Sequence, residues 1–418
     1  MKTQIFKRAL LGRAMASSEL EHTLLPKTIA LPVFASDPLS SNAYATQEIL
    51  LVLGLAGTAA LSRVVPISIA VALLLTTVVT SYRQTVRAYP SGGGAYRVSK
   101  ENIGMYAGLF AAAALLLDYV LTVSVSITAG VDAIVSAVPS LEHARVQMAV
   151  GFILFVTLMN LRGVRESGTL FAIPTYGFVL SIFLLLGTGA VRCLGGCPQA
   201  ESSDLILHGE AGTALTFILI LRAFAAGTTA LTGVEAIADG VQAFRFPQSK
   251  NAATTLAIMG GLAISMFLGV SALADATNVR FEEHAARTVV AQIAHAVFGG
   301  GPLFYLVQVM TAAILILAAN TAYQDFPRLS SILAQDHFMP RQFLNRGDRL
   351  VFSNGVVALA ALAALLVVVF DAELNKLIQL YLVGVFISFT LSQSGMVLRW
   401  RRLKSPGWRR SAAINAFG

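Results

Sequence analysis

The chain has 418 residues, 56% of them hydrophobic and only 12% charged, with a mean hydropathy of +0.71. A soluble domain carries about twice that charge fraction, so soluble, disordered and coiled-coil readings fall and a polytopic membrane protein remains. The net charge of +8 does not argue for nucleic acid, because the Lys and Arg lie between long apolar runs and not on one folded face.

Residues 1–27 read as a basic cytoplasmic tail carrying Lys2, Lys7, Arg8, Arg13 and Lys27. No cleavable signal peptide is predicted, since the apolar stretch that follows runs on through Leu53. A spanning helix needs about 20 apolar residues. Ten stretches are predicted to span: Thr28–Gly54, Val64–Tyr82, Ile103–Val138, Val146–Leu161, Leu170–Val191, Gly212–Phe244, Ala252–Ala274, Thr288–Ala322, Val351–Phe370 and Leu374–Trp400. With the N-terminus in the cytoplasm, 23 of the 30 Lys and Arg residues face that side and six the other, with Arg222 inside the sixth stretch. That asymmetry sets the orientation and places both ends of the ten-helix unit in the cytoplasm. Cys193 and Cys197 then lie in an extracytoplasmic loop, as a local disulfide or as two free thiols. A C-x3-C pair alone is not a zinc site. Residues 401–418 are basic and then small and apolar, and read as a cytoplasmic segment leading into a further helix.

Two stretches carry helix-breaking sequence. In the first it is Ser36-Asp37-Pro38-Leu39-Ser40-Ser41, where Pro38 lacks an N–H and pushes Asp37 out of helical geometry. In the sixth it is Gly227-Thr228-Thr229-Ala230-Leu231-Thr232-Gly233. The breaks fall five helices apart, an odd number, so the second half (residues 212–400) enters the membrane from the side opposite to the first (residues 28–191). This pattern predicts inverted five-helix repeats of the LeuT type, with a midplane site between broken helices.

An ionised carboxylate at mid-bilayer costs at least ~2.5 kcal/mol, so it needs a partner, a proton or a cation. Asp37 lies in the first break, Asp118 within the third helix, and Glu235 just past the second break, with Asp239 one turn on towards the cytoplasmic interface. Glu48 and Asp132 sit nearer helix ends and are predicted to be solvated. Asp118, Thr122 and Ser126 stack at helical spacing with Tyr119 flanking them, Thr232 and Glu235 are three apart, and Tyr44 follows the first break. Carboxylates, hydroxyls and carbonyls suit a hard cation. Arg222 can be read as a gate that pairs with an acid or as a structural cation. The loop Tyr89-Pro90-Ser91-Gly92-Gly93-Gly94-Ala95-Tyr96 lacks the Gly-Lys-Ser/Thr ending of a phosphate-cradling loop, and reads as a flexible turn or gate.

With these residues in hand, the stretches Phe34–Thr46, Tyr89–Tyr96 and Ala230–Ala238 resemble the KimA-type potassium importers of the amino acid–polyamine–organocation superfamily. The resemblance implies the inverted-repeat transporter fold, a homodimer in the bacterial cytoplasmic membrane, and potassium uptake coupled to protons. It also implies an ion site at Asp37, Tyr44, Asp118, Tyr119, Thr122, Ser126, Thr232, Glu235 and Tyr381. Similar proteins have twelve membrane helices and a cytoplasmic C-terminal domain that binds cyclic di-AMP, which these residues do not include.

Other readings fit the same residues. Amino acid permeases of the same superfamily usually bind a substrate carboxylate at the first break, where Asp37 would repel it, whereas a polyamine would tolerate the acids. A sensor without transport stays open. No nucleophile–base pair, metal motif or nucleotide motif at membrane depth points to an enzyme or to a cofactor. Glu235 is the first choice for the coupling proton, because a cytoplasmic cavity would wet it, and Asp118 the second.

Overall fold

A computed structural model describes residues 24–90, 92, 94–162, 168–207, 209, 215–283, 285–345 and 352–418. The basic tail through residue 23 and the Arg165, Arg346 and Arg349 charges of the orientation argument lie outside these residues.

Apart from one isolated backbone bridge, the regular structure among the described residues is helical. The first predicted helix is two helices, α1 (Lys27–Ser40) and α2 (Ala45–Gly54), joined by a 3-10 turn at Ser41–Ala43. Then come α3 (Val64–Ala88), the short α4 (Gly94–Asn102), α5 (Met105–Ala137), α6 (Arg145–Leu161) and α7 (Gly168–Cys193). The predicted sixth helix is likewise divided into α8 (Phe217–Gly227), a 3-10 turn at Thr228–Leu231, and α9 (Ala236–Asp239). The chain continues through α10 (Gln248–Ala276), α11 (Val289–Phe298), α12 (Pro302–Gln335), α13 (Ser353–Val369), α14 (Leu374–Leu403) and α15 (Trp408–Phe417).

Among the described residues eight helical segments are long and apolar enough to cross a membrane. The 17-residue α13 rises about 25 Å, and the divided first helix supplies the tenth passage. The protein is a multi-pass membrane protein: large apolar side chains such as Leu73, Phe110, Leu180 and Leu365 are exposed around its flanks, where lipid replaces water as their neighbour. The two halves pack through equivalent members. α3 lies along α10 and α5 along α12, in each case helices five apart in the order of passages.

Two predicted boundaries need correction. The stretch Thr288–Ala322 is two helices, because Gly299 adopts a positive φ of 66° and Pro302 starts a new helix at its first turn. The second of them runs on past Ala322 to Gln335, carrying Asp325 and Arg328 beyond the apolar stretch on which the boundary was read. The Tyr89–Tyr96 segment is not wholly a turn, since α4 begins at Gly94. Cys193 and Cys197 are joined as a disulfide.

The basic-end termini of the two divided helices are tied together. Leu25 N–H donates to Ala243 O at 2.7 Å and Arg245 N–H to Leu25 O at 3.1 Å. Phe34 stacks on Phe244 with centroids 5.4 Å apart. The divided helices therefore run side by side, which brings their breaks to the same depth.

Candidate cation site at the helix breaks

Each break is satisfied by its own side chains, which is how irregular backbone survives at membrane depth. In the first, Ser40 and Ser41 hydroxyls donate to Asp37 O at 2.9 and 3.1 Å, and Asn42 Nδ2 donates to Leu39 O at 2.9 Å. In the second, Thr229 donates to Ala226 O at 3.0 Å, Thr232 donates to Thr229 O at 2.8 Å, and Thr228 donates to Ala225 O. Thr232 is extended and Gly233 has φ +75°, so the chain turns sharply there. The turn brings the breaks together. Ser41 Oγ and Thr232 Oγ1 share a hydrogen bond of 2.7 Å, and Tyr44 OH donates to Ser41 Oγ at 3.2 Å. A methyl group at Gly233 would lie 2.5 Å from Asp37 Oδ2, so the Asp37 carboxylate rests directly on the second break.

Asp37, Asp118 and Glu235 are 4%, 2% and 3% exposed. One oxygen of each (Asp37 Oδ1, Asp118 Oδ1, Glu235 Oε2) has no hydrogen-bond partner. Asp37, Asp118 and Glu235 are close enough to feel one another's charge. None of the ion pairs among the described residues involves these three. On α5, one turn beyond Asp118, Thr122 Oγ1 meets Tyr381 OH at 3.1 Å. Ser126 is buried a further turn along. Helix α14 can approach this closely because it presents Gly384, whose missing side chain would stand 3.5 Å from Asp118 N. Among the described residues no three His, Cys, Asp or Glu side chains gather as a metal cluster; the carboxylates alternate with hydroxyls.

Two sequence-predicted residues lie apart from this group. Tyr119 turns away and donates to Asp239 Oδ2 at 3.3 Å. Arg222 is exposed on α8 and takes part in none of the ion pairs found among the described residues; it lies only five residues from the helix start at Phe217, close enough for its head to snorkel to an interface. Glu48 and Asp132 are not solvated: both are buried, Glu48 Oε1 is unpartnered, and Asp132 pairs with Arg145 at 2.5 Å. Asp132 is covered by Arg145 at the start of α6, and the start of α11 packs beside Glu48, where Val289 N–H donates to Gln47 Oε1.

At the basic end, a cavity of about 530 Å³ is lined by Tyr96, Lys100, Tyr119, Asp239, Arg328 and Asp336, among others. It reaches Tyr119 and Asp239 but not Glu235. At its rim Lys100 Nζ lies 2.6 Å from Asp336, which also accepts from Tyr96 OH at 2.5 Å. The Lys100 and Tyr96 hydrogen bonds hold the Asp336 carboxyl below its ordinary range, and the bond to Asp336 raises the Lys100 ammonium above its own.

The amino acid permease family model matches residues 30–418. The chain is 43% identical over 412 residues to the potassium transporter KimA of Bacillus subtilis (strain 168), covering 99% of this chain and 67% of that protein. Solved structures matched include two mutants of the Eremococcus coleocola manganese transporter. Each is 11% identical and covers 92% of this chain and 85% of the other, with TM-scores of 0.47 and 0.49.

Proposed function

We propose that this chain, which belongs to the amino acid permease family, is a secondary active transporter that takes up potassium together with protons across the bacterial cytoplasmic membrane. The observation that carries the reading is that three buried carboxylates, each with an unpartnered oxygen, lie at the helix breaks or on the helix beside them, with Asp37 resting on Gly233 of the second break. Buried carboxylates close enough to feel one another's charge cannot all stay ionised without a cation or a proton to offset it. The 43% identity to a protein named as a potassium transporter supports potassium as the cargo. The Lys and Arg distribution supports an N-terminus in the cytoplasm.

In this reading Asp37, Tyr44, Thr232, Asp118, Thr122, Tyr381 and Ser126 supply oxygens along the potassium path, and Tyr119 with Asp239 closes it from the basic-end cavity. An amino acid is a poorer fit, because the first break, where permeases of the superfamily usually bind a substrate carboxylate, carries Asp37, which would repel it. The proton resides on the Asp118–Glu235 pair, with Glu235 as its carrier. A homodimer and regulation by cyclic di-AMP are what the resemblance to the KimA-type importers implies.

The test is Glu235→Gln in proteoliposomes, with inward potassium movement and internal pH recorded together. Potassium exchange retained without pH-driven uptake supports the role. Normal acidification coupled to potassium entry in the variant would move the proton to Asp118.

A further inference from the structure

A second cavity, of about 460 Å³, lies between the last turns of α3, the end of α14 and the start of α15. Arg83, Arg87, Arg399, Arg410 and Trp400 line it together with small and polar residues, and none of the lining residues is acidic. Four guanidinium groups gathered without a counter-charge repel one another unless an anion joins them.

The wall is built, not accidental. Arg399 is fixed by neutral partners only: Nη1 donates to Tyr89 OH at 3.2 Å, Nη2 to Ala88 O at 3.4 Å, and its guanidinium sits 4.6 Å from the Tyr89 ring centroid. Asn415 pins α15 to α3, donating to Gln84 Oε1 at 2.9 Å and accepting from Ser81 at 2.5 Å. Three donors at this wall, Arg83 Nε, Arg399 Nε and Trp400 Nε1, are buried and have no hydrogen-bond partner.

Depth and chemistry point the same way. Arg83 stands 19 residues beyond the start of α3 at Val64, a rise of about 28 Å, which matches the ~30 Å hydrocarbon thickness and puts the cavity at the membrane interface. Guanidinium forks match the oxygens of a tetrahedral oxyanion, and interfacial basic pockets between helices suit phosphate-bearing headgroups.

We propose that this four-arginine cavity binds a phosphate group at the basic end of the bundle. A lipid headgroup and soluble phosphate present the same chemistry, so the experiment carries an arm for each. Delipidated protein in detergent is titrated with phosphatidylglycerol or phosphatidylcholine and read by native mass spectrometry. In parallel, inorganic phosphate is titrated against thermal unfolding.

Phosphatidylglycerol should be retained at about a tenfold lower concentration than phosphatidylcholine. Arg83→Gln or Arg410→Gln should abolish that preference, and Arg63→Gln, on an exposed residue remote from the cavity, should keep it. Arg410 is exposed on the surface helix α15, so its variant remains informative if Arg83→Gln does not fold. A lipid preference lost in these variants identifies the headgroup as the source. Stabilisation by millimolar phosphate, lost in the same variants, identifies soluble phosphate. Equal retention of both lipids without phosphate stabilisation, or preferences unchanged in both variants, overturns the proposal.

Discussion

Gly233 is where the two helix breaks press on each other, and Gly233→Ala measures how much depends on that contact. The residue has φ +75°, a conformation that costs an L-residue about 1–2 kcal/mol more than glycine. The new methyl would lie 2.5 Å from Asp37 Oδ2, 2.7 Å from Asp37 Cγ and 2.8 Å from Pro38 Cδ. Real contacts of this kind need more than 3 Å, so the carboxylate or the break must move, and overpacking of this sort costs about 1–3 kcal/mol. The combined loss is about 2–5 kcal/mol, and the part that shifts Asp37 falls directly on the site. The assay is uptake of rubidium as a potassium tracer in proteoliposomes, with thermal unfolding of the same preparation. Gly233→Ala should unfold at lower temperature and lose at least about tenfold in uptake, which is about 1.4 kcal/mol at the site. Gly187→Ala, whose methyl meets nothing within 4 Å, should keep wild-type uptake. Wild-type uptake and stability in Gly233→Ala would refute the contact between the breaks.

Thr122→Val keeps side-chain volume but removes the oxygen that meets Tyr381 at 3.1 Å, so apparent potassium affinity should weaken more than maximal rate, as read from uptake against concentration. Arg222→Gln, on an exposed residue, should leave uptake unchanged within about twofold, since surface substitutions cost within ~0.5 kcal/mol. The Lys100–Asp336 pair stabilises the fold above the ordinary carboxyl pKa of about 4 and loses that contribution as pH falls through the depressed Asp336 value; on the alkaline side it is lost as pH rises through the raised Lys100 value. Its side chains are 30% and 33% exposed, so Lys100→Gln should cost at most about 1 kcal/mol at neutral pH. The variant's unfolding temperature should also fall less steeply than wild type below about pH 4.

Passages and breaks are legible in the sequence because hydropathy and helix breakers are local signals. Pro38 and the run from Gly227 to Gly233 mark both interruptions; the second falls where predicted, whereas the first lies just beyond Ser40, at Ser41–Ala43, and Asp37 and Pro38 stay inside α1, contrary to the expectation that Pro38 would push Asp37 out of helical geometry. The divided eighth stretch was also signalled, by Gly299-Gly300-Gly301-Pro302, but that signal lies inside an apolar run long enough to span. Glu48 and Asp132 are buried, not solvated, because neighbouring helices cover them: Arg145 at the start of α6 pairs with Asp132, and α11 packs beside Glu48 at Gln47. Tyr119 follows Asp118 in sequence, but successive helical residues point about 100° apart, and its hydroxyl donates to Asp239. Gly233 was read as a weak helix former, and its second task, leaving room for Asp37, exists only once the halves are assembled.

The central claim is that the carboxylates at the breaks carry a cation. Asp37→Asn keeps the shape of the side chain and removes its charge. Rubidium uptake should be measured in proteoliposomes for the wild type and for a monodisperse, folded Asp37→Asn variant, with excess potassium, alanine and spermidine as competitors. Wild-type uptake should be displaced by potassium and not by alanine or spermidine, and the variant should show none above empty liposomes. Undiminished uptake by the variant, or displacement by alanine or spermidine, would contradict a potassium site built on Asp37.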